Sequence, residues 1–457
     1  MKLYSENENY KLYQGNMLDM LETIEPNSID SIITDPPYEL NFMNKGWDNS
    51  GIAFQPDTWQ KCYEVLKPGG YLLAFGGSRT FHRIACAIED AGFEIRDTIM
   101  WLYGSGFPKS LNISKTLEKR EGIIEETTGT LFNNSGGKRD LSKRSDYGYI
   151  YEPQLYLAKQ WKGWGTSLKP SFEPIIVARK PFKGSLVDNV IEYGVGGINI
   201  DECRVGNEHF EIKDGSYDNN ENQSCFGNIK ITPKEYNGRF PANTILTYDD
   251  TDFDEVCGGF PYTKGDNRTS KQTYDKSIWG NAKSVESNCL YADSGSASRY
   301  FYCAKASKKD RDEGLDSLEI KKTGELQGGR KEGSAGSIML NADGTTRVNP
   351  YAGIGTPKRN NHPTVKPTEL MQYLIRLVSP NGAIILDPFN GSGSTGKAVM
   401  YENKERNKNY KYIGIELTEE YLPISKARIE CLIDAKEETK QDTPTGQTNI
   451  FDFIKEE

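Results

Sequence analysis

Asp35-Pro36-Pro37-Tyr38 holds an unusual concentration of chemistry in four residues. It follows residues 29–34 (IDSIIT), an apolar, β-branched run that reads as a buried strand. Two prolines in succession can neither continue a sheet ladder nor enter a helix, so the chain leaves the strand in an extended shape. That shape presents a carboxylate, carbonyls with no competing N–H, and a flat ring at the carboxyl end of a strand. In open α/β sheets this end is where ligands bind. A planar amino group on a base needs such a set: acceptors in its plane and an aromatic face above it. Taken alone, the four residues read equally as a strand-ending turn with a surface tyrosine, so partners elsewhere in the chain must decide.

A second stretch is Asp387-Pro-Phe389-Asn-Gly391-Ser-Gly393-Ser-Thr-Gly396, which follows residues 383–386 (AIIL) and opens a helical pattern. Gly391-x-Gly393-x-x-Gly396 matches the glycine spacing that lets backbone approach a nucleotide. Gly391-x4-Gly396-Lys397 also nearly matches a phosphate loop, but Ala398 stands where a magnesium-binding hydroxyl is required. Glu416 ends the next apolar run, 23 residues past Gly393, a spacing suited to an acid that pairs with ribose hydroxyls. An adenosine-containing cofactor is therefore expected. A third stretch, Asn361-His-Pro-Thr-Val-Lys-Pro367, directly precedes a helical pattern that Thr368 is placed to cap.

DPPY near one end, the glycine turn near the other and an irregular stretch between them resemble the amino-group DNA methyltransferases. The order, with the catalytic turn before the cofactor glycines, is similar to their permuted β class, and residues 361–367 resemble its HPTxKP segment. The resemblance covers about residues 1–110 and 361–435. Residues 298–309 and 238–243 look like stretches of phage-type members.

The resemblance implies a doubly wound, mostly parallel, Rossmann-like seven-stranded α/β sheet with a large irregular α+β insert, and S-adenosylmethionine as cofactor. It implies catalytic roles for Asp35, Pro36, Pro37 and Tyr38. Asp387, Phe389, Gly391, Gly393 and Glu416 would hold the cofactor, with Thr364 and Lys366 closing over its methionine part. Asn16 stands near the cofactor adenine, where relatives often carry Gly-Asp in place of Gly15-Asn16. The expected reaction is methylation of adenine N6 in DNA, since the family's cytosine-N4 enzymes more often carry Ser where Asp35 stands. The N4-cytosine reaction is the alternative. A catalytically silent DNA-binding protein or a nicotinamide dehydrogenase are the readings from other classes, and the latter leaves DPPY and HPTVKP without a use.

The chemistry agrees with these residues. An adenine N6 lone pair is delocalised into the ring, so acceptors on its hydrogens, from Asp35 and the Pro36 carbonyl, would favour the tetrahedral, positively charged form. Tyr38 would stack on a base turned out of the duplex. No metal, covalent nucleophile or strong base is needed. The supply fits: there are three histidines (82, 209 and 362), and the eight cysteines form no C-x-x-C pair.

The elements that must position these residues alternate at both ends of the chain. Helix-spaced and strand-like runs follow one another over residues 10–103 and return over residues 368–435, as expected for two halves of one sheet. The expected organisation is a first core half at 1–103, a target-recognition insert at 104–360, a second core half at 361–435 and a flexible tail at 436–457. Within the insert, residues 173–179 and 242–246 read as strands and residues 311–360 as flexible.

The 457 residues carry a net charge of −9, but residues 101–190 hold 14 basic against nine acidic side chains, leaving that window at +5 and the rest at −14. A basic segment in an acidic chain suits contact with double-stranded DNA. The expected DNA-contacting residues are Trp47 in the loop after DPPY, Lys138, Arg139, Lys143, Arg144, Lys308 and Lys309. The tail residues Gln447, Ile450 and Phe451 resemble the peptide that docks on DNA sliding clamps, although they can equally pack on the chain's own sheet. Relatives often dimerise, which makes a homodimer a further expectation. No apolar run approaches the roughly 20 residues of a bilayer span, and no apolar leader opens the chain, so a cytoplasmic location is expected.

Overall fold

The computed structural model describes residues 2–40, 50–103, 110–123, 152–212, 234–247, 308–319 and 359–432, with short paired strands between residues 215 and 348. Nine strands share one sheet: β1 (Lys2–Glu6), β2 (Tyr10–Gln14), β3 (Ile29–Thr34), β4 (Leu66–Phe75), β5 (Glu94–Tyr103), β6 (Phe172–Arg179), β7 (Thr244–Thr247), β8 (Ile384–Asp387) and β9 (Lys411–Glu416). Their spatial order is β1-β2-β9-β8-β3-β4-β6-β5-β7. Strands β2, β9, β8, β3 and β4 run parallel, β1 joins β2 antiparallel, and β6 enters antiparallel beside β4. The fold is α/β with a mostly parallel sheet, as expected, but the sheet has nine strands where seven were expected, because residues 172–179 and 244–247 also join it.

The late strands β8 and β9 slot between the early strands β2 and β3. All six residues of β3 are buried, Asp30, Ser31 and Thr34 among them, as suits a central, parallel place. From β3 the chain moves to β4 on one side, and from β8 it moves to β9 on the other. The sheet therefore changes winding direction between β3 and β8, and the carboxyl ends of these two strands bound a crevice of the kind that takes ligands.

The helices are α1 (Met17–Leu21), α2 (Pro56–Val65), α3 (Phe81–Asp90), α4 (Ile113–Arg120), α5 (Tyr156–Gln160), α6 (Leu186–Tyr193), α7 (Lys308–Asp312), α8 (Thr368–Val378), α9 (Ser394–Glu405) and α10 (Leu422–Glu430). Residues of α1, α2 and α3, among them Met20, Trp59 and Ile84, form one core with Ile32, Leu72, Ala74 and Leu386 of the sheet. The alternate residues Ile33, Leu73 and Ile385 are buried too and point to the opposite face. Helices α8 and α9 pack on each other, and α8 also contacts β3 and β4.

Lys67-Pro68-Gly69-Gly70 lies in the first part of β4, after α2 stops at Val65. There the register jumps from Ile29↔Leu66 to Ser31↔Tyr71, so these residues bulge out and let the helix end run directly into the strand. The stretch 104–360, expected as an insert, contributes β6 and β7 to the core sheet. Two compact units are present: residues 1–102 with 173–457, and residues 103–172. In the smaller unit, Ser114 Oγ of α4 donates to the Ala158 carbonyl of α5 at 2.7 Å, and the buried Glu118 carboxylate accepts from the Leu155 N–H at 3.0 Å. No helix among the described residues is long and apolar enough to cross a membrane.

One buried ion pair joins α8 to α9. Arg376 Nη2 lies 2.6 Å from Glu402 Oε1, whose side chain is fully buried, and Gln372 Nε2 donates to the same oxygen at 3.2 Å. Arg376→Ala removes the nearer of its two cations, leaving the half-exposed Arg406 at 3.7 Å, and should cost up to about 3–5 kcal/mol of stability. Urea unfolding measures the loss, and a change below about 1 kcal/mol, the size typical of an exposed pair, would contradict it.

Candidate active site

The site is built at the carboxyl ends of β3 and β8. These strands pair directly, Ser31 opposite Ile385 and Ile32 opposite Leu386, so the residues that follow each strand emerge side by side. A single carboxylate clasps them. Asp387 Oδ1 accepts from Thr34 Oγ1 at 2.7 Å and from the Phe389 N–H at 3.1 Å, while Oδ2 accepts from Thr395 Oγ1 at 2.7 Å. Asp387 is only 3% exposed, and burial pushes its carboxyl up to about 6, against the pull of these hydrogen bonds.

The glycine turn follows. Gly391 (φ +52°) and Gly393 (φ +74°) are left-handed, and a Cβ on Gly393 would lie 2.5 Å from Ser425 Oγ, so the turn admits no side chain there. The Gly391 N–H donates to Glu416 Oε2 at 2.7 Å and the Thr418 N–H to Glu416 Oε1 at 2.8 Å. Burial raises the Glu416 carboxyl to about 7. Phe389 is partly buried and packs on the core, its ring centroid 6.4 Å from that of Trp59. Gly15 N–H donates to the Glu416 carbonyl at 3.0 Å, which brings the end of β2 beside the end of β9. Asn16 then caps α1, its side chain accepting from the Leu18 N–H at 3.1 Å.

Residues 361–367 cross to the DPPY turn. Lys366 Nζ donates to Asp35 Oδ2 at 2.6 Å and stands 3.4 Å from Glu173 Oε2. Its ammonium also lies 5.2 Å from the centroid of the Tyr38 ring and 5.0 Å from that of Phe75. Burial works against the Lys366 charge, but Asp35 and Glu173 outweigh it and raise its pKa. Burial raises the Asp35 carboxyl, and Lys366 pulls it part of the way back. Asp35 Oδ1 is buried and accepts no hydrogen bond from the described residues. The Tyr38 hydroxyl donates to Glu173 Oε2 at 2.8 Å, and the Tyr38 carbonyl accepts from Thr80 Oγ1 at 2.8 Å. Gly77 packs under the ring, where a Cβ would meet Tyr38 Cδ2 at 3.2 Å. His362 is buried against Gly391 and the edge of Tyr421, and burial lowers its imidazole to about 3, so it is a neutral packing group.

Asp35, Pro36, Pro37, Tyr38, Lys366, Asp387, Phe389, Gly391, Gly393 and Glu416 thus gather along one edge of the sheet, with Asn16 at the neighbouring strand end. Thr364 is exposed, and its carbonyl is 3.1 Å from His362 Nδ1. Lys309 is exposed on α7; nothing is described for the Lys308 side chain. Trp47, Lys138, Arg139, Lys143 and Arg144 lie outside the described residues, as do Gln447, Ile450 and Phe451.

Two acids join the site that the sequence reading did not name. Glu173 offered a related signal, an acid followed by proline, but at the start of a buried apolar run where Asp35 stands at the end of one. Asp310 offered none, since it sits in a charge run that looks solvated. Yet its Oδ2 accepts the Thr368 N–H at 2.9 Å and its Oδ1 meets Lys397 Nζ at 2.7 Å. Thr368 is the first residue of α8 and does not cap it; the cap comes from Asp310, 58 residues away. Lys397, the residue that suggested a phosphate loop, is fully buried between Asp310 and Glu313, at 2.7 Å from each. Arg428 Nη1 completes the support by donating to the Ser392 carbonyl at 2.8 Å and to Ser394 Oγ at 3.0 Å.

A family model described as DNA methylase matches residues 29–427. The type II methyltransferase M.HindIII of Haemophilus influenzae is 23% identical over 267 residues, covering 49% of this chain and 73% of that protein. The type II methyltransferase M2.DpnII of Streptococcus pneumoniae is 36% identical over 193 residues, covering 38% of this chain and 67% of that protein. Among solved structures, the PVUII DNA methyltransferase, described as cytosine-N4-specific, aligns at 13% identity over 95% of each chain with a TM-score of 0.38.

The two raised carboxyls make stability depend on pH. Glu416 moves from its usual 4.5 to about 7 and Asp387 from 3.8 to about 6, so the folded chain holds these protons more tightly than the unfolded chain. Their effect is therefore neutral below about pH 4, and stability falls as pH rises through about 6 and 7. Without added ligand, the melting temperature of Glu416→Gln should change less between about pH 5 and 7.5 than that of the parent. Equal changes in the two proteins would contradict the assignment.

Proposed function

This chain belongs to the DNA methylase family, and we propose that it transfers a methyl group from S-adenosylmethionine to the exocyclic N6 of an adenine in double-stranded DNA. The observation that carries the reading is the orphaned oxygen of Asp35 at the end of β3, next to the glycine turn that follows its neighbour β8.

The residues present fit the cofactor. The left-handed turn offers backbone without side chains, and Asp387 and Glu416 are buried acids of the kind that suits an amino group and a ribose diol. Asp387, Phe389, Gly391, Gly393, Glu416, Thr364, Lys366 and Asn16 would hold it. Bound there, S-adenosylmethionine supplies a methyl already activated on a sulfonium, so orientation is most of what the protein must add.

The chain's own residues account for the rest. Asp35 Oδ1 takes one hydrogen of the substrate amino group, and the Pro36 carbonyl takes the other. Both favour a nitrogen that is turning tetrahedral and positive. Asp35 and Glu173 face the single ammonium of Lys366. Once these three are ionised the cluster is net negative, which favours positive charge developing on the substrate nitrogen. Pro37 keeps the turn extended, and Tyr38 gives its ring as a stacking face to a base turned out of the duplex. The adenine reading rests on Asp at position 35, since the family's cytosine enzymes more often carry Ser there.

Duplex contact falls to the loop bearing Trp47 and to residues 104–360, with Lys138, Arg139, Lys143, Arg144, Lys308 and Lys309 meeting phosphates. The basic balance of residues 101–190 supports this, as does the exposed Trp164 beside Lys162 in the smaller unit.

Asp35→Ala should lower the rate of methyl transfer to DNA by about 100- to 1,000-fold, with S-adenosylmethionine binding retained. Full transfer by the variant would contradict the mechanism.

A further inference from the structure

Glu173 has no use in the scheme above beyond its charge, yet its position is set with care. Strand β6 runs antiparallel to β4, pairing Ile175 with Phe75, and the Gly76 N–H donates to the Pro174 carbonyl at 2.9 Å. The start of β6 thus lies at the carboxyl end of β4. Glu173 reaches the reacting edge of the sheet from a strand of opposite direction. Its side chain is 21% exposed, so the carboxylate depends on partners in the protein.

Two of those partners are the side chains that frame Asp35. Glu173 Oε2 accepts from the Tyr38 hydroxyl at 2.8 Å and lies 3.4 Å from Lys366 Nζ. With Thr80 holding the Tyr38 backbone carbonyl at 2.8 Å, the tyrosine is fixed at both ends and the direction of its side chain is set. Lys366 is shared in turn. It donates to Asp35 Oδ2 at 2.6 Å, which occupies that oxygen, while Oδ1 accepts no hydrogen bond from the described residues.

We propose that Glu173 is a positioning residue for the transfer reaction, holding the Tyr38 ring and the Lys366 ammonium so that the stacking face and the free Asp35 oxygen stay in register. This rests on the methyl-transfer reading given above. Glu173 touches neither substrate nor cofactor in this role. Its removal therefore affects the turnover step and spares cofactor affinity, because Asp35, at 2.6 Å, still holds Lys366 in place. A carboxylate that merely filled space would show no such separation.

The test compares E173A, E173Q, Y38F and the double variant Y38F/E173A in the full-length chain, with labelled methyl transfer to duplex DNA and separate titration of S-adenosylmethionine. E173A should lower kcat by about 100-fold, the scale of a misaligned reacting group, and leave the Kd for S-adenosylmethionine within about twofold. Y38F should lower kcat in the parent but change it less than about twofold in the E173A background, because both remove the same contact. E173Q keeps an acceptor for the tyrosine but loses the charge. It should lose about tenfold in kcat at an unchanged melting temperature, which keeps the test open if E173A does not fold. Parent-like kcat in E173Q or E173A, or full additivity with Y38F, overturns the proposal. A parent chain that transfers no methyl at all overturns the preceding reading and this one together, a result distinct from an active parent with active Glu173 variants.

Discussion

The parallel pairing of β3 with β8 brings together residues that lie more than 330 positions apart, and Asp387 locks it by accepting from Thr34 on one strand and Thr395 on the helix after the other. Every feature of the site depends on that clasp. Without it the DPPY turn and the glycine turn are two ordinary strand ends. With it, the DPPY turn and the glycine turn lie side by side, at the point where the sheet changes winding direction. A buried carboxylate that keeps three hydrogen-bond donors has a defined geometry, and its raised pKa records what holding it there costs.

Around this clasp the charges are arranged in two tiers. Near the reacting edge, Lys366 is shared by Asp35 and Glu173. Behind the glycine turn, Asp310 and Glu313 neutralise the buried Lys397, while Asp310 also caps α8 at Thr368. The helix that begins just after Lys366 is thus anchored by the same acid that anchors the helix of the glycine turn. The position of one lysine at the reacting edge is set by contacts well outside it. Buried ionic groups of this kind do little for net stability, because desolvation offsets their attraction.

Much of the site was legible because local backbone chemistry wrote it. Consecutive prolines after a buried strand, glycines forced into left-handed angles and an acid at the end of the next strand are consequences of sterics within a few residues. They hold wherever the chain goes. The helix over Thr368–Val378 and the strand near residues 411–416 were legible for the same reason, through their apolar periodicity. What the sequence did not show was decided at long range. Residues 173–179 read as a strand, but nothing local says that the strand reverses direction and joins β4, and so nothing pointed Glu173 at Tyr38. Asp310 sits among charges, and only the folded chain reveals that a fully buried lysine needs it. Lys397 belongs to a phosphate-loop pattern that Ala398 already ruled out, and only the fold shows it as the buried partner of two acids. β7 was expected near residues 242–246 as part of an insert, and its place at the edge of the main sheet depends on partners that no periodicity encodes.

In the proposed reaction one carboxylate and one glycine turn, joined through β3 and β8, bring a base amino group to an activated methyl. The most direct measurement incubates the purified full-length chain with duplex DNA and isotopically labelled S-adenosylmethionine, digests the DNA, and identifies the labelled nucleoside by mass spectrometry. The account predicts label in N6-methyldeoxyadenosine. Label in N4-methyldeoxycytidine would keep the site and contradict the base, and DNA without label would contradict the account as a whole.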